Sequence, residues 1–221
     1  ELSSRGYRIT TALDWQMQQV SDRWAAAVLS VQVGNGVNDP KRLAYLKGLG
    51  VKDTSWLRSS YKGNIHNAAV GTLDARTGDM LAYTGSADYY AQVSDPAIGH
   101  VIGPLFQPQF DVLSAYRQPG SAIKPVIYGY SLELGAVTPS TLLMDVPVDF
   151  GKGWTPAEWD FRERGPVRMR QALQGSLNIP AIKTATRAGP DNIWRMMRDA
   201  GFRFQADTNV AGSSLAIGTL E

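Results

Sequence analysis

The sequence predicts an α+β fold, with an antiparallel sheet only partly present in the chain, on three observations. A β-hairpin pattern spans residues 67–86, several helical patterns crowd the stretch after residue 120, and apolar residues make up 43% of the chain against 19% charged. A hairpin followed by a run of helices belongs to α+β architectures, and that composition belongs to folded rather than disordered chains. With 221 residues the chain can hold one substantial core or two modest domains.

Residues 7–14 (YRITTALD) read as a short strand turning into a helix that Thr10, Thr11 or Asp14 caps. Leu13, Met17, Val20, Trp24 and Val28 then form an apolar stripe down the helix. Residues 34–66 are mixed, with turn signals at Gly34-Asn35-Gly36 and Asn38-Asp39-Pro40. Residues 1–66 are therefore taken as an N-terminal linker or small subdomain, and 67–221 as the main domain. In the hairpin, Ala68 to Leu73 leads through Asp74-Ala75-Arg76-Thr77-Gly78-Asp79 to a return over Met80 to Thr84. Residues 88–112 carry three prolines and little periodicity, the pattern of a loop that lines a site or hides an element. A helix over 121–134 should stop at Gly135, and its middle, Val126 to Leu132, is apolar nearly all round, which predicts a place at the domain centre. Further helices are expected near 167–175, 179–188 and 190–200, the last framed by Pro190 and Gly201.

The bulk numbers exclude several functions. A net charge of +2 from 22 basic and 20 acidic residues, well interspersed, offers no face for nucleic acid or a membrane surface. These residues contain neither an apolar stretch of membrane-spanning length nor a signal-peptide pattern. Zero cysteines rule out disulfides and thiol chemistry but leave the compartment open. His66 and His100 are the only histidines, and neither has a metal-type neighbour at i+4. Neither a metal site nor a Ser-His-Asp triad is expected, and no cofactor.

Two serine motifs carry the chemistry. Ser121 and Lys124 stand three residues apart at the start of the 121–134 helix, behind a Pro119-Gly120 break. One helical turn sets i and i+3 on the same face, so the amine can lie beside the hydroxyl. The free N–H groups of a helix start favour developing negative charge, and Pro125 falls in the first turn, where its missing N–H costs nothing. With no histidine suited to the task, lysine is the best base available. Ser59-Ser60-Tyr61-Lys62 repeats the spacing, but in a polar stretch read as a solvated loop with no helix behind it. Ser176-Leu177-Asn178 falls between two helical patterns and is the only Ser-x-Asn in the chain. Its hydroxyl could relay a proton and its amide could hold a peptide carbonyl, although serine and asparagine also make ordinary interhelical turns.

Ser-x-x-Lys at a helix start followed by Ser-x-Asn between helices resembles the penicillin-binding protein transpeptidases and serine β-lactamases. The resemblance is colinear over most of residues 7–221. Arg8 to Asp14 with Gln16 and Gln18 is similar to the lead-in of class A penicillin-binding proteins, Ala68 to Gly85 to the first strand pair, Tyr116 to Ser121 to the nucleophile block, and Arg170 to Ala181 to the second motif with its flanks. The chain departs from the family in lacking Lys-Thr/Ser-Gly. Lys183-Thr184-Ala185 lies in a helical pattern without the glycine, and the family's third motif normally lies beyond Glu221. Nor do these residues include a glycosyltransferase domain or a membrane anchor. The chain thus reads as part of a domain whose C-terminal remainder completes both sheet and site, and which alone should fold poorly and not acylate.

The resemblance implies that Ser121 attacks a D-alanyl-D-alanine stem peptide and passes the acyl group to an amine on a neighbouring stem, cross-linking peptidoglycan, with β-lactams trapping the same serine. It implies Lys124 as proton acceptor, Ser176 as proton shuttle and Asn178 as substrate-binding residue. The Ser121 backbone N–H would supply half of an oxyanion hole, worth about 3 kcal/mol per donor in other hydrolases. The implied location is the extracytoplasmic face of the bacterial plasma membrane, with membrane attachment only through an anchor outside these residues. A β-lactam sensor or an inactive structural domain of the same fold are the competing readings. Trp154, Trp159 and Phe161 read as packing residues rather than groove residues, Met196 and Met197 as core. Glu158, in a Pro-Ala-Glu-Trp loop, has no motif to support a role as general base.

Overall fold

A computed structural model describes residue 6 and residues 8–32, 36–60, 65–90, 107–205 and 209–219. The chain forms two compact units, Glu1–Ala115 and Tyr116–Glu221.

The first unit packs a long helix on a hairpin. Helix α1 (Trp15–Gln32) begins where the Asp14 carboxylate accepts the Met17 N–H at 2.9 Å, so of the three cap candidates Asp14 serves. Among the described residues no strand precedes it: residues 8–14 are irregular, and the Asp14 N–H reaches across to the Leu81 carbonyl at 2.8 Å. Leu13, Met17 and Val20 are exposed, while Ala25, Ala27, Leu29 and Val31 are buried. The helix is thus buried on other positions than the stripe suggests: Ala25 and Leu29 pack with Ala68, Val70 and Ala87, while Ala27 and Val31 turn to a separate core. Strands β1 (Val70–Leu73) and β2 (Met80–Thr84) pair antiparallel as the hairpin pattern predicts, with an irregularity between Thr72 and Leu73. The Gln18 side-chain amide substitutes for a further strand on β2, donating to the Tyr83 carbonyl at 3.1 Å and accepting the Tyr83 N–H at 2.8 Å.

Residues 36–60 are more ordered than their turn signals suggest. Helix α2 (Pro40–Gly48) starts at Asn38-Asp39-Pro40, where the Asp39 carboxylate accepts the Lys41 N–H at 2.9 Å. The same tripeptide that signals a turn is here a helix cap with proline in the first turn. Helix α3 (Ser55–Ser60) follows, and Leu46 and Leu57 join Ala27 and Val31 in a small core. The irregular loop expected over 88–112 falls mostly on 91–106, outside the described residues.

The second unit is built around α4 (Lys124–Glu133), entered through a 3-10 turn at Gly120–Ile123. Its buried positions are Lys124, Ile127, Tyr128 and Ser131, spaced three and four apart. That is one helical face, and Leu132 on another side is exposed, so the helix is one-sided rather than buried all round. It ends as predicted: Gly135 takes φ +68° and the Ala136 N–H returns to the Ser131 carbonyl. A second antiparallel pair, β3 (Leu142–Asp145) and β4 (Gly165–Arg168), was not legible beforehand; its register sets Asp145 opposite Gly165. Helices α5 (Met169–Gln174), α6 (Asn178–Ala188) and α7 (Pro190–Asp199) match the three expected helical stretches. Ile127, Ala172, Leu177, Ala181, Ile182, Ala185, Ile193, Met197 and Leu215 form one continuous core. Among the described residues no helix is long and apolar enough to cross a membrane.

A 3-10 turn at Gly212–Ile217 packs beneath the entry to α4. It ends at Gly218, with φ +79°, where a Cβ would lie 2.3 Å from the backbone N and O of Gly120. Only glycine fits that contact. Gly218→Ala should lose at least ~2 kcal/mol of stability, the left-handed penalty alone accounting for ~1–2. Denaturant unfolding checks this, with Gly201→Ala, whose added Cβ would meet open space, as the control for backbone strain alone.

Candidate active site

The second unit brings Lys124, Ser176 and Asn178 together around one buried amine. Lys124 takes the first core-facing position of α4 and is 1% exposed, a rare setting for a lysine. Its Nζ donates to the Ser176 carbonyl at 2.5 Å, to Asn178 Oδ1 at 2.7 Å and to Ser176 Oγ at 3.3 Å. Burial pushes the pKa of the amine below its ordinary value of 10.5, and the nearby Glu158 carboxyl opposes that shift. A neutral amine has two N–H donors and one lone pair. The three contacts match the three N–H donors of an ammonium; once the amine loses a proton the two short contacts keep its donors, and the Ser176 hydroxyl can turn to donate to the lone pair.

Backbone conformation at Ser176 makes those contacts possible. Ser176 sits in the turn between α5 and α6 with φ +51°, in the left-handed region that a non-glycine residue enters at a cost. The turn closes through Ser176 N–H to the Leu173 carbonyl and Leu177 N–H to the Ala172 carbonyl, while the buried Leu177 side chain anchors it in the core.

Ser121 lies in the 3-10 turn, one turn ahead of Lys124, whose N–H bonds the Ser121 carbonyl. The serine is exposed, and among the described residues its hydroxyl makes no hydrogen bond to Lys124. A cavity of about 440 Å³ opens beside this entry, lined by Tyr116, Pro119, Ile123, Met197, Phe202 and Phe204.

Glu158 turns out to be central. It is 2% exposed, and its carboxyl accepts the Asn178 N–H at 2.7 Å and the Ile179 N–H at 2.8 Å. It therefore caps α6 from outside the helix, where the dipole favours an acidic group. The Asn178 side-chain NH2 donates to the Ala157 carbonyl at 2.8 Å, which turns its Oδ1 toward Lys124. Nothing in the Pro-Ala-Glu-Trp stretch announces this, since a cap supplied from twenty residues away leaves no local pattern.

Other expected residues fall as follows. Trp154 packs against Phe150, ring centroids 5.5 Å apart. Trp159 and Phe161 are exposed, contrary to a packing role; the Trp159 indole N–H bonds the Gly175 carbonyl at 3.2 Å and Phe161 takes φ +56°. Met197 is core. Lys183 and Thr184 lie within α6, bonded to the Met144 and Pro180 carbonyls, consistent with reading Lys183-Thr184-Ala185 as a chance match. Ser59 and Ser60 end helix α3 instead of lying in a loop, and Lys62 is outside the described residues. Among the described residues no group of three or more histidine or carboxylate side chains could hold a metal.

The family model for the penicillin-binding protein transpeptidase domain matches residues 68–216. The chain belongs to that family. It is 31% identical over 148 residues to penicillin-binding protein 1C of Escherichia coli and 33% identical over 159 residues to penicillin-binding protein 1A of Neisseria meningitidis. Those matches cover 66% and 69% of this chain and 18% of each relative, so the chain spans under a fifth of the curated penicillin-binding proteins it matches. The crystal structure of penicillin-binding protein 1A from Haemophilus influenzae shares 29% identity and a TM-score of 0.55 over 70% of this chain and 21% of its own. PonA1 from Mycobacterium tuberculosis, solved with penicillin V, is alike in fold, with a TM-score of 0.63 over 99% of this chain and 48% of its own at 18% identity. The α+β fold read from the sequence is thus that of penicillin-binding transpeptidase domains.

The strain at Ser176 yields a test of the site as a structural device. Ser176→Gly removes the left-handed penalty and Ser176→Ala keeps it, and both lose the hydroxyl. The glycine variant should be about 1 kcal/mol more stable than the alanine variant in denaturant unfolding.

Proposed function

We propose that this chain carries the nucleophile half of a serine D,D-transpeptidase that cross-links peptidoglycan stem peptides. The observation that carries the reading is the buried Lys124 amine, one helical turn from Ser121 and held by Ser176 and Asn178. In this reading residues 67–221 are the N-terminal part of the transpeptidase domain, a boundary the match over 68–216 supports, and residues 1–66 are a linker or small subdomain.

Ser121 Oγ attacks the carbonyl carbon of the penultimate D-alanine while its proton passes to the Lys124 lone pair, directly or through Ser176 Oγ. The tetrahedral oxyanion is met by the Ser121 N–H at the start of the helix. Collapse expels the terminal D-alanine, whose nitrogen takes the proton back from Lys124 by way of Ser176. The amine of a neighbouring stem then attacks the ester, and Ser121 leaves with a proton. Asn178 holds Lys124 through Oδ1 and presents its amide edge to the substrate peptide. A β-lactam enters the same first step, and its ring nitrogen stays tethered, so the acyl-enzyme persists. The site works on the extracytoplasmic face of the bacterial plasma membrane, where stem peptides occur.

Fluorescent penicillin labelling of the full-length protein tests the reading. Ser121→Ala should abolish labelling, and Lys124→Met should slow it at least 100-fold. The wild-type labelling rate should rise with pH along a limb centred below the 10.5 of an ordinary lysine, because the amine must be neutral to act. Labelling that survives Ser121→Ala would refute the assignment. Turnover of a stem peptide by a protein that labels distinguishes a transpeptidase or carboxypeptidase from a β-lactam sensor.

A further inference from the structure

Behind Asn178 lies a second buried acid that the chemistry above does not use. Asp145, the last residue of β3, is fully buried, and its Oδ1 has no hydrogen-bond donor among the described residues. Its Oδ2 accepts the Arg164 N–H at 3.0 Å, with the Arg164 guanidinium 3.8 Å away and itself paired to Asp160 at 2.8 Å. Its other neighbour is the Glu158 carboxyl, whose own two oxygens accept the Asn178 and Ile179 N–H groups. Two carboxylates cannot hydrogen-bond to each other without a proton, and two adjacent buried negative charges strongly disfavour double ionisation.

We propose that Asp145 and Glu158 share a single proton and act as one positioning unit, which holds Asn178 against Lys124 and limits the negative charge the lysine feels. The inference rests on the acyl-transfer reading of Lys124 for its functional part only. Every other polar bond of the pair is already made. Glu158 gives its two oxygens to the Asn178 and Ile179 N–H groups, and Asp145 gives one to Arg164. The remaining contact is carboxyl to carboxyl, and the proton belongs there. The groups facing the pair are Arg164 from the loop ahead of β4, Lys124 and Tyr128 from α4, and the first N–H groups of α6. Tyr128 is held neutral, its pKa raised first by burial, so Arg164 and Lys124 are the cations that answer the pair.

Burial and then the Asp145 contact push the Glu158 pKa above its ordinary 4.5, while its bonds to the α6 N–H groups pull the other way. A carboxyl raised in the folded state stabilises fully below 4.5 and loses that contribution as pH rises through its folded value. Ionising Glu158 also raises the pKa of Lys124, since an added negative charge favours the ammonium. Proton loss from the pair therefore loosens the fold and leaves less of Lys124 in its neutral form.

Two isosteric variants separate the parts. In Asp145→Asn the amide supplies the missing donor permanently, and its oxygen can still accept from Arg164. Glu158→Gln keeps a donor toward Asp145, gives up one of the two α6 bonds and leaves the pair's single negative charge on Asp145, away from the position from which Glu158 acts on Lys124. Three readouts apply to the full-length protein: the infrared carbonyl band of a protonated buried carboxyl, melting as a function of pH, and the pH profile of fluorescent penicillin labelling. The wild type should keep the band above pH 4.5, where an ordinary glutamate has ionised, and Asp145→Asn should lose it at the same pH. Wild-type stability relative to Asp145→Asn should fall as pH rises above 4.5. The labelling limb of Glu158→Gln should move to lower pH, and that of Asp145→Asn should not. A wild type without the band overturns the shared proton, whatever the labelling shows. A band with the labelling limb unmoved in Glu158→Gln overturns the effect on Lys124. If the wild type never labels, the acyl-transfer reading fails, while the band and the melting curves still decide the pair.

Discussion

The second unit is organised by the burial of the Lys124 amine. A lysine at the first core position of α4 would ordinarily cost several kcal/mol unless its hydrogen bonds were met. Each acceptor that meets it comes from Ser176 or Asn178, so the turn between α5 and α6 must come to the lysine. That requirement accounts for the left-handed φ of Ser176, which turns the residue's own carbonyl toward Nζ. It also accounts for the outside cap on α6. Asn178 can aim its Oδ1 at Lys124 only if its own N–H and NH2 are held elsewhere, and Glu158 and the Ala157 carbonyl hold them.

The strand pair β3–β4 has its place in the same chain of dependence. It carries Asp145 on one strand, and the loop between the strands carries Glu158 and Arg164. The loop is long and bends through positive φ at Gly151, Lys152, Gly153 and Phe161, so it needs fixed points. Glu158 under α6 is one and Arg164 on Asp145 and Asp160 is another. Polar contacts in this loop therefore place Asn178 more than they add net stability, since buried ion pairs roughly offset their own desolvation. Stability comes from the apolar core of α4 to α7, where each fully buried Ile, Leu or Met contributes about 1.5–3 kcal/mol.

Legibility in the sequence followed how local each cause was. The hairpin at 70–84, the stop at Gly135 and the helices framed by Pro190 and Gly201 were readable because a turn or cap a few residues away decides them. Ser121, Lys124, Ser176 and Asn178 were readable as motifs, and the structure brings three of the four into contact. What escaped was non-local or ambiguous. Asn38-Asp39-Pro40 serves equally as a turn and as a helix cap. The α1 stripe misled because the helix is buried in two separate clusters, one with residues of the hairpin and one with Leu46 and Leu57, and neither neighbour can be read from its own periodicity. Glu158 escaped because its partners stand twenty residues away in a different element.

The exposed Ser121 beside a fully buried Lys124 follows from the same geometry. In the acyl transfer proposed above, a nucleophile must meet its substrate, whereas a lysine base must be desolvated to stay neutral. A regular α-helix over both residues, with its smaller rise per residue, would hold them closer along the axis and so nearer the same depth. The 3-10 turn at Gly120–Ile123 rises about 2.0 Å per residue against about 1.5 Å in an α-helix, which carries Ser121 further along the axis from Lys124 and out of the core, and Gly218 packed against Gly120 fixes where that turn begins. The change of helix type at residue 124 is thus what lets one short motif hold an accessible hydroxyl and a desolvated amine. It also explains why the spacing Ser59/Lys62 shares with Ser121/Lys124 says so little by itself: the chemistry depends on the break in the helix and the core beneath it.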